Sequence, residues 1–274
     1  MIIWGENTNY ATATSRPYLF SLLTTYSEYS NYLAVSHPSE PNYLAFGGGD
    51  TFVSTDYAYC LNLANQNLVD RLETGGIDWR EYEENYPSSC SQNSLYVIKH
   101  DFFINFSSVN SNSSRTNKIY AFQGNSPSTY SELTGDYPPH FVTITPNLCN
   151  DGHDCGVSQF NSWLRDSTFF QDMLNSKYYT DGAIFVTFDE NASGSPNRVY
   201  CVAISAQAKR GYKASTSYNH YSLLRTVEDN WGLPTLTAND AAASNMFEAF
   251  DVPLAIDLKE LSVYSSPNEL KKLP

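Results

Sequence analysis

Positive charge is scarce in this chain: 16 Lys and Arg stand against 29 Asp and Glu, leaving a net charge of −13. That balance argues against binding nucleic acid or an anionic membrane surface through bulk electrostatics. A small anionic substrate needs a local positive site, and with so few basic side chains a metal ion is its natural source. No apolar run approaches the roughly 20 residues that span a bilayer, so stable membrane insertion is not expected. No C-x-x-C pair occurs, which argues against a structural zinc site. Pro/Gly/Ser-rich linkers, internal repeats and abrupt composition shifts are also missing, so residues 1–274 read as one domain. Met1-Ile2-Ile3-Trp4 is too short for a leader and reads as a strand; secretion would need a leader outside this chain.

What the chain has is aromatic and polar. Aromatics make up 15%, with 21 Tyr, and charged residues only 16%. That composition, with Asn-x-Ser sequons at Asn105, Asn112 and Asn191, suits an extracellular glycoprotein. Asn105 and Asn112 fall in a polar stretch that reads as a surface loop. Of the five cysteines, Cys149 and Cys155 bracket a short loop and Cys60 with Cys90 is the plausible second pair. Cys201 lies within an apolar run and reads as a buried free thiol.

Strand-length apolar runs alternate with helical patterns. Residues 1–4, 32–35, 77–79, 140–145, 183–188 and 198–206 read as strands. Residues 17–26, a segment from Ser39, the spaced residues 61–72, 157–174 and 221–231 read as helices. The runs 183–188 and 198–206 are apolar enough for the middle of a sheet covered on both faces. The expected fold is α/β, with a mostly parallel central sheet and helices on both faces. Residues 91–128 show little periodicity and read as an insertion.

In such sheets chemistry gathers at the carboxyl ends of the strands. Four of these ends carry polar groups: Glu6-Asn7, Ser36 to Ser39, Asn147 to Asp154, and Asp189-Glu190. Carboxylate and amide oxygens suit hard divalent cations, and imidazole suits borderline ones. Ser39 reads as the N-cap of a helix, beside unsatisfied N–H groups and the positive end of the helix dipole. Those conditions stabilise an alkoxide or hold a phosphate. Ser36 is the rival, less suited to a cap because it precedes Pro38. His140 begins a strand, belongs to no motif and reads as structural.

Five motifs occur in order: Trp4-Gly5-Glu6-Asn7-Thr8-Asn9-Tyr10; Ser36-His37-Pro38-Ser39-Glu40-Pro41-Asn42-Tyr43; Thr145-Pro146-Asn147 with Asn150-Asp151-Gly152-His153-Asp154; Thr187-Phe188-Asp189-Glu190; and Tyr218-Asn219-His220-Tyr221-Ser222. Together they resemble the phosphoesterase family of secreted acid phosphatases and bacterial phospholipases C, within the alkaline-phosphatase-like superfamily. The fungal acid phosphatases are the branch most similar. The resemblance runs from about Trp4 to Leu236.

It implies a metal-dependent phosphomonoesterase acting through a phosphoserine on small phosphate esters, with a divalent metal ion as cofactor. Ser39 matches the nucleophile. Glu6, Asn7, Asp189 and Glu190, with Ser39 itself, match the metal ligands. His153, His220 and His100 match catalytic positions. Asn42, Asp151, Lys99 and His37 match positions near the phosphate. Two departures stand out. Asn191-Ala192-Ser193-Gly194 replaces the Trp-Gly-Gly-type stretch of the phospholipase branch, which favours a monoesterase. Asp101 follows Lys99-His100 where Asn-Pro is expected. A phosphodiesterase or phospholipase C on the same scaffold, or a secreted binding protein without turnover, remain the alternatives.

Overall fold

A computed structural model describes residues 1–251. The strands are β1 (Ile2–Gly5), β2 (Ser27–Tyr29), β3 (Tyr32–Leu33), β4 (Trp79–Glu84), β5 (Ile119–Phe122), β6 (Phe141–Thr145), β7 (Ile184–Phe188), β8 (Cys201–Ile204), β9 (Lys213–Ala214) and β10 (Tyr218–Asn219). The helices are α1 (Tyr10–Thr14), α2 (Pro17–Thr25), α3 (Ser39–Gly48), α4 (Leu68–Thr74), α5 (Ser107–Asn110) and α6 (Ser113–Thr116). They continue with α7 (Val157–Asp166), α8 (Thr168–Met173), α9 (Lys177–Thr180), α10 (His220–Asn230) and α11 (Ala238–Ala242).

One eight-stranded sheet runs β5-β4-β6-β1-β7-β8-β2-β9. Only β8 opposes its neighbours, pairing antiparallel with both β7 and β2. The fold is therefore α/β with a mostly parallel sheet, as the alternation of elements implies. Its centre is the apolar set β1, β6 and β7, buried along their whole length. A parallel sheet covered on both faces needs such continuous hydrophobic strands. Because β1 pairs parallel with β6 and β7, their carboxyl ends lie together along one edge.

Several expected boundaries move. Residues 32–35 give only the short β3, which pairs with β10 in a separate two-stranded sheet. The strand expected at 77–79 instead starts at Trp79 and runs to Glu84. Its glutamates break the apolar pattern that marks the other inner strands. Residues 91–128 are not an insertion, since they supply edge strand β5 and the segment bearing His100. The pattern at 157–174 breaks into α7 and α8 at Ser167, which caps the second helix. The helix expected from Leu61 begins at Leu68, where Asn67 forms a capping box with Asp70.

Both expected disulfides are present, Cys60–Cys90 and Cys149–Cys155, and Cys201 is a buried free thiol. Of the three sequons, Asn105 and Asn191 are corrected. Asn105 is buried and its amide donates to the Ile98 and Asp101 carbonyls. Asn191 is buried and donates to the Gly194 and Pro196 carbonyls. Neither side-chain nitrogen is open to a sugar in the folded chain; Asn112 is exposed. Among the described residues no helix is long and apolar enough to cross a membrane.

Candidate active site

The loops after β1, β6 and β7 are tied together through their backbones. Glu6 N–H donates to the Asp151 carbonyl (2.9 Å), Asp189 N–H to the Gly5 carbonyl (3.1 Å), and Thr8 N–H to the Glu190 carbonyl (3.1 Å). Gly5 permits this closeness, because a Cβ there would fall 2.6 Å from the Phe188 ring. Asn7 then turns with φ +46°, a left-handed conformation that asparagine tolerates, and its N–H donates to Asp189 Oδ1 (3.0 Å). Glu6, Asp189 and Glu190 thus stand side by side.

Ser39 enters this group from α3. Pro38 is the flanking residue and Ser39 the first residue of the helix, so the serine is not the cap. Its hydroxyl is free of capping and lies 3.2 Å from Glu6 Oε2 and 3.3 Å from Glu190 Oε1. The helix end is a poorer anion site than its sequence suggests. The Glu40 N–H is taken by Asp56 (2.9 Å), and Pro41 has none. Lys99 also pairs with Asp56 (2.8 Å), so this lysine is held back from the serine by a carboxylate. Ser36 Oγ turns onto the His37 carbonyl (3.2 Å), leaving Ser39 as the serine at the carboxylates.

Asn42 does not face a phosphoryl group. Its amide donates to the Ser36 and Pro38 carbonyls, and its oxygen accepts from the Val35 and Ser36 N–H groups. Both donors are spent on holding the turn that presents Ser39. His220 is corrected in the same way. It is fully buried, with Nε2 donating to the Asp189 carbonyl (2.6 Å) and Nδ1 facing the Tyr32 hydroxyl (3.1 Å). It buttresses the Asp189 strand end from below, and burial lowers its pKa to about 4.

The remaining histidines surround the serine at different depths. His100 is buried with Nε2 3.5 Å from Glu6 Oε2 and Nδ1 3.6 Å from Asp151 Oδ2. Burial, then the charges of Lys99 and His153, holds its pKa well below the usual imidazole range. A neutral imidazole can offer a nitrogen lone pair. Asp151 is itself buried and accepts from the His153 N–H (2.7 Å), so it orients the His100 side of the site. His37 contacts Glu190 Oε2, and His153 contacts Asp154 Oδ1 (2.8 Å). Their side chains are 43% and 30% exposed, which places the mouth of the site between them and the buried carboxylates.

Tyr43 was not singled out by motif, although it lies four residues after Ser39 and so on the same helix face. Its hydroxyl donates to Glu6 Oε1, and its ring stacks on His100 at 5.2 Å. Trp4 packs against Tyr43 and His220, joining the two supports in one aromatic layer.

Burial and mutual repulsion govern the electrostatics of these carboxylates. Burial, followed by Asp189 and Asp151, pushes the Glu6 carboxyl well above its usual range. Burial, followed by Asp189, raises Glu190 to about 8. Burial likewise raises Asp151 and Asp189. Asp189 Oδ2, Asp151 Oδ2 and His100 Nε2 are buried without hydrogen-bond partners among the described residues. Oxygen-rich donors with an imidazole fit a divalent metal ion. A separate apolar cavity of 420 Å³ lies at the opposite strand ends, between Met1, Phe141 and Phe185, away from this chemistry.

The model of the Phosphoesterase family matches residues 7–234. The chain belongs to the phosphoesterase family. It is 36% identical over 89% of its length to a protein of Kluyveromyces lactis named "Probable acid phosphatase", covering 60% of that relative. It is 33% identical over 88% of its length to the phosphate-repressible acid phosphatase of Penicillium chrysogenum, covering 61% of it. The chain therefore spans about 60% of the length of these two curated relatives. A phosphatidylinositol-3-phosphatase of Mycobacterium tuberculosis is 30% identical over 80% of this chain and 71% of its own. The fold matches an alkaline phosphatase superfamily protein from Vibrio parahaemolyticus at TM-score 0.61 and 13% identity, over 91% of this chain and 71% of that one. The alkaline-phosphatase-like expectation for the fold is met.

Proposed function

We propose that the chain is a metal-dependent phosphomonoesterase that forms a phosphoserine at Ser39. The observation that carries this reading is a buried, uncapped serine hydroxyl within 3.3 Å of two carboxylates, at the end of a parallel sheet. Glu6, Asp189 and Glu190, with Asn7 and Ser39, would hold the metal, and His100 with Asp151 closes the same cluster from the other side. A divalent ion bound there supplies positive charge that acidifies the serine hydroxyl and offsets the charge on the phosphoryl oxygens.

The chain's own groups account for the proton movements. Glu6 and Glu190 lie where they can accept the Ser39 proton. The serine oxygen bonds to phosphorus as the P–O bond to the alcohol breaks. His153 at the mouth would give a proton to the departing oxygen. That imidazole would then take a proton from water as the water attacks phosphoserine and the Ser39 Oγ–P bond breaks; the glutamate returns its proton to Oγ, so phosphate leaves and Ser39, the glutamate and His153 are all restored. Tyr43 and His220 keep Glu6 and the Asp189 backbone in register.

The names of the acid phosphatase relatives and the Asn191–Gly194 stretch support a monoester substrate. The two disulfides fit an oxidising, extracellular setting, with Asn112 as the accessible sequon. Hydrolysis of an aryl phosphate monoester and of its bis-ester across pH 4–8, with and without chelator, tests the reading. Metal-dependent release from the monoester is expected. No hydrolysis of either ester with any added divalent ion favours a binding protein on the same scaffold.

A further inference from the structure

A second group of carboxylates lies outside the serine site. Glu81 and Glu83 are two apart on β4, so they share one face of the sheet. Asp101, from the segment after His100, meets them there. One carboxylate oxygen from each lies within 4.8 Å of the others, and all three residues are buried. Oxygens bound at about 2.4 Å on opposite sides of one ion are about 4.8 Å apart, so the grouping is compatible with a shared hard cation.

Part of the cluster is already fixed. Phe102 N–H donates to Glu81 Oε1 (3.0 Å), Ile104 N–H to Asp101 Oδ1 (2.9 Å), and the Tyr96 hydroxyl to Asp101 Oδ2 (2.9 Å). Glu81 Oε2 and Glu83 Oε1 have no hydrogen-bond partner among the described residues. A neutral group adds an independent sign. Thr143 is the register partner of Glu81 on β6, on the same face, and its hydroxyl is also buried and unpartnered. Unpartnered oxygens from two strands therefore share one dry region. The groups acting on these carboxylates are one another, Asp151, backbone N–H groups, Tyr96 and Thr145, with no basic side chain. Several uncompensated carboxylates in a protein interior must bind protons or a cation.

We propose that Glu81, Glu83 and Asp101 bind a hard divalent cation as a structural site separate from the Ser39 centre. The ion would tie strand β4, next to the edge strand β5, to the segment that begins immediately after His100. It would thereby fix the backbone that delivers His100, without touching substrate.

The test is equilibrium dialysis of the full chain, stripped with chelator, against Ca²⁺ and separately Mg²⁺, with melting followed in parallel. Glu6→Gln/Asp189→Asn removes the serine-side ligands. That chain is expected to bind one equivalent of one of the two ions and to melt higher with it. Adding Glu83→Gln should abolish both effects. If the triple variant does not fold, Glu83→Gln in the otherwise native chain should lower the bound stoichiometry by one equivalent. Failure of Ca²⁺ and Mg²⁺ to bind the Glu6→Gln/Asp189→Asn chain, or binding unchanged by Glu83→Gln, overturns the proposal and leaves shared protons as the resolution. Ester hydrolysis, measured separately, reports on Ser39, so the two readings can fail independently.

Discussion

Two buried acidic clusters built from the same residue types differ in what surrounds them. The group at Glu6, Asp189 and Glu190 meets a serine hydroxyl and the half-exposed His37. The group at Glu81, Glu83 and Asp101 meets threonine, tyrosine and backbone N–H groups, and is sealed. Carboxylates alone therefore define no activity. In the proposed function the serine and the exposed histidines give the first cluster its chemistry, and the proposed role of the second is structural.

The largest expected contrast comes from the nucleophile. Ser39→Ala should reduce phosphomonoester turnover by roughly 10⁴-fold or more with the fold retained, by steady-state assay and circular dichroism. Ser36→Ala should leave turnover within a few-fold. Next, Asp189→Asn should cost roughly 10²–10³-fold and lower bound metal at the serine site. Unchanged metal content in that variant would break the assignment of the first cluster.

Supporting residues should matter less and in a different way. His220→Gln should lower kcat about 10- to 100-fold without moving the limbs of the pH profile, since its ring reaches Asp189 and not the substrate. A moved limb would return His220 to the proton path. Asn42→Ala should cost about 1 kcal/mol of stability by denaturant titration, because it strands two half-buried N–H groups of the serine turn.

The smallest effect concerns a carboxyl outside both clusters. Glu228, buried and facing Asp240, has its pKa raised to about 9 by burial first and by Asp240 second. The folded chain holds this proton while the unfolded chain loses it near the ordinary glutamate value of 4.5. Stability from this group is thus present at acid pH and declines as pH rises from about 4.5 to about 9. Glu228→Gln should flatten that part of the melting-temperature profile. An unchanged slope would mean the carboxylate is already ionised in the folded state.

The sequence carried the parts of this molecule with strong local signals. Asp189-Glu190 closes an apolar strand, and Glu6-Asn7 follows another, so both strand ends could be placed without coordinates. Most of strand β4 was hidden because three glutamates on an inner strand contradict the usual apolar pattern; only its neighbours reveal that they are buried. Motif position assigns Asn42 to the phosphate and His220 to a catalytic role. Their actual partners are backbone groups that no spacing rule displays. Asn105 looked like a loop residue because its neighbours are polar, yet its amide is consumed inside the fold.

The central claim is that Ser39 carries the phosphoryl group. Rapid acid quench during turnover of an aryl phosphate monoester, followed by peptide mapping, tests it most directly. The account predicts one phosphoryl group on the peptide containing Ser39, absent from Ser39→Ala protein. Full turnover by Ser39→Ala protein with no phosphopeptide would contradict it.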